Sequence, residues 1–272
     1  MAYENFKPEI WSAAILLEKM KHTTFAPDCN HAFTGDVKLG WKVHINTVIA
    51  PEIFKYNQEE GLGEPDKGGS TTQMLEITEA DAYQYLIDDI DKAQAKGDLN
   101  GKLKTAVSRK LAEKEDQFIA KICATQATNM SDSLAITSTK SAKAAIDGAF
   151  ETLWAKHVST KDDVTIYLPA WMYLKFQDEL INLKTNNDEL IKKGVMGMYY
   201  NAKVKISGDL YNDGSDDHII VKTNTACAFA DGLQENEAIR SQKYFSDVLR
   251  GLHCYGAKVV LPEELYIIKA HK

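Results

Sequence analysis

Residues 163–176 read DVTIYLPAWMYLKF, two apolar runs that a single proline separates. The first run, Asp163 to Leu168, is short and rich in β-branched and aromatic residues, which favours a β-strand. Pro169 stops that strand and lies where a helix tolerates proline, just before the second run. The stretch therefore predicts a strand that passes directly into a helix.

Helices are also predicted on the N-terminal side of this stretch. Between Lys102 and Cys123 the apolar residues recur near one stripe, as in a single helix of roughly six turns. From about Ser141 to His157 a second run shares one apolar face. A shorter helical signal lies in IWSAAILLEKM, residues 10–20.

The cleanest strand pattern runs from Asp36 to Asn46, where apolar and polar residues alternate strictly. A return strand is predicted in MLEIT, residues 74–78, and between the two lies EEGLGEPDKGGSTT, residues 59–72, rich in glycine and acidic residues. A loop of this length is unusual inside a compact monomer. We therefore expect a projecting flap whose partner is another molecule.

The C-terminal side mixes strands with one more predicted helix. Glu237 to Leu252 is expected to be helical, because Phe245, Leu249 and Leu252 lie at helical spacing. His253 and Cys254 would then lie at the C-terminal end of that helix, in a structural role. The remaining apolar runs predict strands in residues 194–207, 218–223, 258–261 and 265–268. This irregular order predicts an α+β fold over a doubly wound parallel sheet.

The composition of the chain argues against several classes of protein. The chain has 272 residues, with 39 acidic against 32 basic side chains and a formal net charge of −7. This charge has the wrong sign for a protein that grips phosphates through a basic face. The sequence contains neither a membrane-spanning apolar run nor a secretory leader pattern, and its cysteines form no C-x-x-C pair, so we expect a reducing cytoplasm and no membrane association.

Chemical motifs are weak throughout. The cluster Asp28-Cys29-Asn30-His31 lacks paired metal-ligand spacing and is interpreted as a polar turn. The glycines of GLGEPDKGG, residues 61–69, do not follow a strand and open a helix, so they do not predict a phosphate-binding loop. Since no catalytic signature is present either, we predict no catalytic, metal or cofactor-binding residues and no cofactor.

The order of the segments resembles a known family. FKPEIWSAAILLEKM (residues 6–20), TGDVKLGWKVHI (34–45) and EITEADAYQYLIDDIDKAQ (76–94) resemble its opening, its paired long strands and the acidic run before its long helix. The strand, proline and helix of residues 163–176 and the closing residues 218–265 resemble its later segments. The chain is thus similar to tailed-bacteriophage major capsid proteins with the Hong Kong 97-type fold, which encapsulins share.

This resemblance implies an α+β capsid subunit with named parts. They are an N-terminal arm (1–34), an extended β-hairpin loop (35–78), a peripheral domain with a long spine helix (79–157), an axial domain (158–232) and a return to the peripheral domain (233–272). The implied function is a major capsid protein that self-assembles, as pentamers and hexamers, into the icosahedral shell enclosing double-stranded phage DNA. A portal and a separate scaffolding protein are expected partners, DNA is enclosed without sequence-specific binding, and assembly would take place in the cytoplasm of the bacterial host.

Contacts between subunits are predicted at charged residues, because exposed charges of both signs fix the alignment of two subunits more than they strengthen binding. The predicted contact residues are Lys55, Glu59, Glu60, Asp66 and Lys67 of the flap, together with Arg240 and Arg250. Two alternatives stay open at this point. One is an encapsulin-like compartment that holds a cargo enzyme, and the other is a cytosolic enzyme that uses Cys29, His31, His253 and Cys254.

Overall fold

The computed structural model of the chain describes residues 15, 17–32, 42–48, 70–88, 99–159, 161–182, 198–241 and 243–272. Its helices are α1 (Leu99–Gln126), α2 (Thr139–Ala155) and α3 (Ala170–Asn182), and residues 17–22 are also helical. Its strands are β1 (Lys42–Val48), β2 (Ser70–Glu76), β3 (Glu79–Asp88), β4 (Asn129–Met130), β5 (Leu134–Ala135), β6 (Val164–Leu168), β7 (Met198–Tyr199), β8 (Ala202–Ile206), β9 (Asp217–Thr223), β10 (Cys227–Arg240), β11 (Ser246–Val259) and β12 (Leu265–His271). Short 3-10 turns cover Ala26–Asp28 and Pro262–Glu264.

The strands form three sheets. A seven-stranded mixed sheet has the order β4-β12-β9-β6-β8-β7, with β5 also paired to β12. A three-stranded antiparallel sheet has the order β10-β11-β3, and β1 pairs with β2 in a separate antiparallel ribbon. The predicted α+β class is therefore confirmed, since antiparallel and parallel pairs occur together and the helices do not alternate regularly with strands.

The strand, proline and helix of residues 163–176 form the centre of the seven-stranded sheet. All five residues of β6 are buried, and β6 lies parallel to β8 and antiparallel to β9. The sequence of a strand that is covered on both faces is apolar almost without interruption. The Pro169 carbonyl accepts hydrogen bonds from the amides of Met172 and Tyr173, so α3 begins directly after the proline. The predicted strand and the predicted helix that follows Pro169 are therefore both confirmed.

Helices cover both faces of that sheet. On one face α2 and α3 pack together over a core that includes Phe150, Ile166 and Phe176. On the other face lies α1, whose 28 residues correspond to a length of about 42 Å. The buried side of α1 contributes Ile119 and Cys123 to a second core around Tyr167 and other residues of the sheet. The two predicted helices of this region are thus confirmed: α1 extends three residues beyond the predicted bounds at each end, and α2 begins and ends two residues earlier than predicted.

The predicted helix at Glu237 to Leu252 is wrong. The structure instead forms a long hairpin, in which β10 and β11 pair from Cys227↔Val259 to Arg240↔Asp247. The predicted short strand at residues 258–261 is the end of β11, which stops at Val259. The third strand, β3, was not predicted; it lies within residues 76–94, which the resemblance describes as an acidic run before the long helix.

Glycine explains part of this difference. β11 contains Gly251 and Gly256, of which Gly251 lies within the predicted helix, where glycine is costly. A Cβ on Gly251 would lie 2.5 Å from the ring of Tyr83, and a Cβ on Gly256 would lie 2.4 Å from the carbonyl oxygen of Glu76. Both positions therefore allow neighbouring chain segments to approach closely, and pairing with β3 and β10 overrides the local helical spacing.

The N-terminal predictions are confirmed where the structure describes them. Residues 17–22 are helical, in agreement with the short signal in residues 10–20. β1 and β2 pair in register from Lys42↔Glu76 to Val48↔Ser70, as expected for the two strands of the flap. The flap residues 49–69 lie outside the described residues. No helix of the described residues is both long and apolar enough to cross a membrane.

Candidate functional site

The far end of the β10–β11 hairpin carries exposed apolar side chains. Leu86, Val248 and Ile239 lie directly opposite one another on β3, β11 and β10. Opposed residues of antiparallel strands point to the same face, so these three form one row, which we call the apolar row. Leu86 and Ile239 are exposed, and Phe245 in the adjoining turn is 82% exposed. Large apolar side chains grouped in this way mark an interaction surface.

A charged row borders the apolar row. Arg250 of β11 donates from Nε and Nη2 to Oε2 of Glu237, at 2.9 and 2.6 Å, and Gln84 of β3 lies opposite. Arg240 donates from Nη1 to Oδ1 of Asp247 at 3.0 Å, near the tip of the hairpin. Both arginine side chains stay about half exposed. Each of these two predicted contact residues therefore lies in a cross-strand ion pair of its own chain. Arg250 is on the face of the apolar row, two residues from Val248, whereas Arg240 lies opposite Asp247 and points to the other face.

The other predicted contact residues cannot be placed. Lys55, Glu59, Glu60, Asp66 and Lys67 lie outside the described residues. The sequence does not predict the apolar row, because the spacing in residues 237–252 favours a helix and no pattern predicts β3. The aromatic and β-branched residues Tyr83, Tyr85 and Ile87 are the strand signal that could have found it.

The four residues of the enzyme alternative do not come together. His253 and Cys254 are neighbours on β11, so their side chains point to opposite faces of the sheet. Cys254 packs in a core with Ile45 and Leu75, whereas Cys29 packs in a different core. A hydrogen bond with Cys227 and burial raise the pKa of the Cys29 thiol well above its usual value. A protonated thiol is a poor nucleophile, so Cys29 is a packing residue.

The His253 imidazole belongs instead to a buried polar cluster. The Lys19 ammonium lies 2.6 Å from Oε2 of Glu115, 2.5 Å from Oδ2 of Asp231 and 3.2 Å from Nε2 of His253. These four residues, which we call the Lys19 cluster, come from the N-terminal helical segment, α1, β10 and β11. The cluster thereby joins the N-terminal segment to the long helix and to the hairpin.

Burial shapes the ionisation of the Lys19 cluster. Burial raises the pKa of Glu115 to about 7, although the Lys19 charge opposes the shift. Burial also acts against ionised Asp231, but the hydrogen bond from His253 and the Lys19 charge hold its pKa well below the usual value. Burial lowers the pKa of His253, which keeps the imidazole neutral at pH 7. At neutral pH the cluster thus centres on an ionised Lys19–Asp231 pair.

Two further buried contacts fix the N-terminal segment. Asp116 of α1 accepts hydrogen bonds from the amides of Thr24 and Phe25, at 2.7 and 3.1 Å. Asp28 accepts from Tyr167 Oη at 2.6 Å and from Lys205 Nζ at 2.5 Å. Together with the Lys19 cluster, these contacts hold residues 19–28 against the core at three points.

Comparison with solved structures identifies the fold. A chain from Mycobacterium phage Che8 superposes with a TM-score of 0.74 and 26% sequence identity over 90% of each chain. The capsid structure of cyanophage P-SCSP1u gives a TM-score of 0.71 at 13% identity, covering 92% of this chain and 88% of that one. The chain has the Hong Kong 97-type capsid fold.

The capsid fold extends beyond phages among the structures that match. A virus-like particle from Pyrococcus furiosus matches with a TM-score of 0.59 and 10% identity, over 96% of this chain and 98% of that chain. No protein-family model matches the sequence, and no curated protein matches it either. The capsid fold is thus supported by the shape of the chain along almost its whole length.

Proposed function

We propose that this chain is a major capsid protein, whose copies assemble into the icosahedral shell around the double-stranded DNA of a tailed phage. The observation that carries the proposal is the match of about nine-tenths of the chain to phage capsid subunits. The exposed apolar row agrees with it, because a subunit that is buried on many sides in a shell keeps apolar surface for its neighbours.

Several finer parts of this proposal follow from the fold and the charge. The shell would be built of pentamers and hexamers, with a portal and a separate scaffolding protein as partners, in the cytoplasm of a bacterial host. A negative subunit holds DNA loosely, which suits a genome that must move in and out. The role is structural and requires no catalytic residue.

The domain division is proposed with two adjustments. Residues 1–34 form the arm, 35–78 the extended loop, and α1 with the three-stranded sheet the peripheral domain, to which the chain returns after residue 232. The axial domain is centred on residues 158–232. Since α2 shares a core with α3 and β6, and β12 pairs with β9 in the same sheet, we place residues 139–155 and 265–271 with the axial domain as well.

Electron microscopy of the purified protein tests the proposal. The chain is expressed alone and together with the genes that flank its own, and the particles are imaged by negative stain. We expect closed particles of uniform diameter in at least one of these expressions. A small, monodisperse oligomer in both, from protein that is folded by circular dichroism, contradicts the proposal.

The match to the Pyrococcus furiosus particle favours one second candidate, an encapsulin-like compartment. A phage shell and a compartment differ in what they contain. Particles purified from the native source should contain DNA and a portal protein if the chain forms a phage shell. A single co-purifying enzyme without DNA, identified by mass spectrometry, would instead support the compartment.

A further inference from the structure

Helix α1 has a basic outer side, although the formal net charge of the chain is −7. Among residues 101–126 of this helix nine positions are exposed, of which five are basic and none is acidic. Separations of four and seven residues place the basic positions along one side of the helix. We call them the basic face, which consists of Lys102, Arg109, Lys110, Lys114 and Lys121.

Most of the positive charge on the basic face is not neutralised. Lys110 forms an ion pair with Glu113 at 3.0 Å. Asp209 borders the face, where its Oδ1 accepts a hydrogen bond from Gln117 at 3.2 Å. Within the described part of the chain, no carboxylate forms an ion pair with the other four members, Lys102, Arg109, Lys114 and Lys121.

The basic face is also long and rigidly held. Lys102 and Lys121 are 19 residues apart in the sequence, which corresponds to about 28 Å along the helix axis. The opposite side of α1 is fixed in the core through Ile119 and Cys123. Double-stranded DNA carries one negative charge for about every 1.7 Å of its axis, so a duplex beside this face presents phosphates to each cation.

The other exposed positions of α1 favour a phosphate backbone over a protein as the partner. They are Ala106, Gln117, Thr125 and Gln126, and none of the exposed large apolar side chains of the described residues lies on α1. Protein interfaces are held by aromatic and aliphatic anchors and contain few lysines at their centres. Phosphate contacts that ignore sequence require only cations such as these.

The negative charge of the rest of the chain does not oppose such contacts strongly. At physiological ionic strength exposed charges are screened beyond about 8 Å, so a phosphate beside α1 responds mainly to the basic face. A few lysine and arginine contacts bind weakly and depend on salt, which leaves a duplex free to slide.

We propose that the basic face of α1 binds the phosphate backbone of double-stranded DNA without regard to sequence. In the shell, this face of the subunit would lie against the enclosed genome. That role rests on the proposed function, because it requires a particle that contains DNA.

Salt-dependent DNA binding tests the proposal. Unassembled full-length chain, separated from particles by size exclusion, is titrated into a fluorescent duplex of about 30 base pairs, and anisotropy is measured between about 50 and 200 mM salt. The unchanged chain is compared with Lys114→Gln combined with Lys121→Gln. Because each lysine contact releases about one counterion, we expect the plot of log K against log salt concentration to become less steep by about 2.

Lys140→Gln combined with Lys161→Gln is the matched control. Both lysines are exposed and lie outside α1, and their substitution changes the net charge of the chain by the same amount. The salt dependence of this control should equal that of the unchanged chain. An unchanged slope in the α1 variant, an equal loss in both variants, or no binding by the unchanged chain at low salt overturns the proposal.

Particle yield separates this inference from the proposed function. Both variants are imaged by negative stain, and we expect closed particles in the same yield as for the unchanged chain. A lower yield for the α1 variant alone, with unaltered DNA binding, would make the basic face a contact between subunits and overturn the inference. If no protein forms particles but DNA binding is as expected, the shell is contradicted and the phosphate-binding face stands.

Discussion

At the scale of single residues, the most consequential contacts join parts of the sequence that are far apart. Lys19 meets Glu115 across 96 positions and Asp231 across 212. The sequence does place both charges on buried stripes, since Lys19 is four residues after Ile15, and Glu115 lies between Leu111 and Ile119 at the same spacing. It could not reveal which partners satisfy them, because those partners are set by the packing of four separate segments.

The raised pKa of Glu115 predicts a pH dependence of stability. The folded chain holds a proton on Glu115 up to about pH 7, whereas the unfolded chain releases it near the ordinary value of 4.5. This group therefore lowers the free energy of unfolding as pH rises between those values, by roughly 3 kcal/mol in total. We therefore expect the free energy of unfolding, measured with urea, to fall less between about pH 5 and pH 7.5 in Glu115→Gln than in the unchanged chain.

Glu113→Gln provides the matched control, because Glu113 lies on the same helix and pairs with exposed Lys110. Its pH profile should follow that of the unchanged chain. A Glu115→Gln profile with the same slope as this control would show that the buried carboxylate does not titrate in this range.

The two close approaches of β11 predict unequal costs of adding a methyl group. At Gly256 the added Cβ meets the backbone of Glu76, which cannot move without breaking the sheet, whereas at Gly251 it meets the mobile end of the Tyr83 side chain. We expect Gly256→Ala to lower the free energy of unfolding by about 1–3 kcal/mol and Gly251→Ala by less. Urea unfolding of both variants measures the difference, and the opposite ranking would contradict the packing.

At the scale of elements, the β10–β11 hairpin shows where sequence patterns fail. Strand β6 and helix α3 were predicted because each one is decided by its own residues: a continuous apolar run, a proline and a helical stripe. The hairpin was not, since Phe245, Leu249 and Leu252 fit a helical spacing. Residues 246–252 form a strand because they pair with β10 and with β3, which lies about 160 residues earlier. Local spacing cannot report a partner at that distance.

The apolar row predicts an assembly defect without a folding defect. Leu86→Asp places a charge at the β3 end of the apolar row, on a surface that we propose to be buried between subunits, where an unpaired charge is costly. We expect the yield of closed particles to fall roughly tenfold or more, while circular dichroism and melting temperature stay close to those of the unchanged chain.

Gln84→Asp is the control for this variant. Gln84 lies on the same strand and the same face, two residues away, and is already polar and exposed. Equal particle yields for the two variants would exclude the apolar row from the contacts that hold the shell together.

At the scale of the whole molecule, the capsid fold was foreseen from the order of the segments more than from any one motif. The predicted contacts in the flap remain a prediction, because those residues lie outside the described part of the chain. Their test is the double reversal of Glu59 and Glu60 to lysine. We expect assembly to be impaired while the subunit stays folded, and an unchanged particle count by electron microscopy would argue against a role for these charges.

Helix α1 and the β10–β11 hairpin together have a mechanical consequence. The helix is about 42 Å long, and the 14 residues of β11 span about 46 Å, so the two are nearly equal in length. They touch at three places: Leu103 packs near Leu249, the rings of Phe118 and Tyr255 are 5.3 Å apart, and Gln126 accepts a hydrogen bond from the Val259 amide. Because α1 and the hairpin are held together near both ends and in the middle, neither can bend without the other. We therefore expect the exposed tip to resist bending relative to the seven-stranded sheet, whose core includes residues at the other end of both elements.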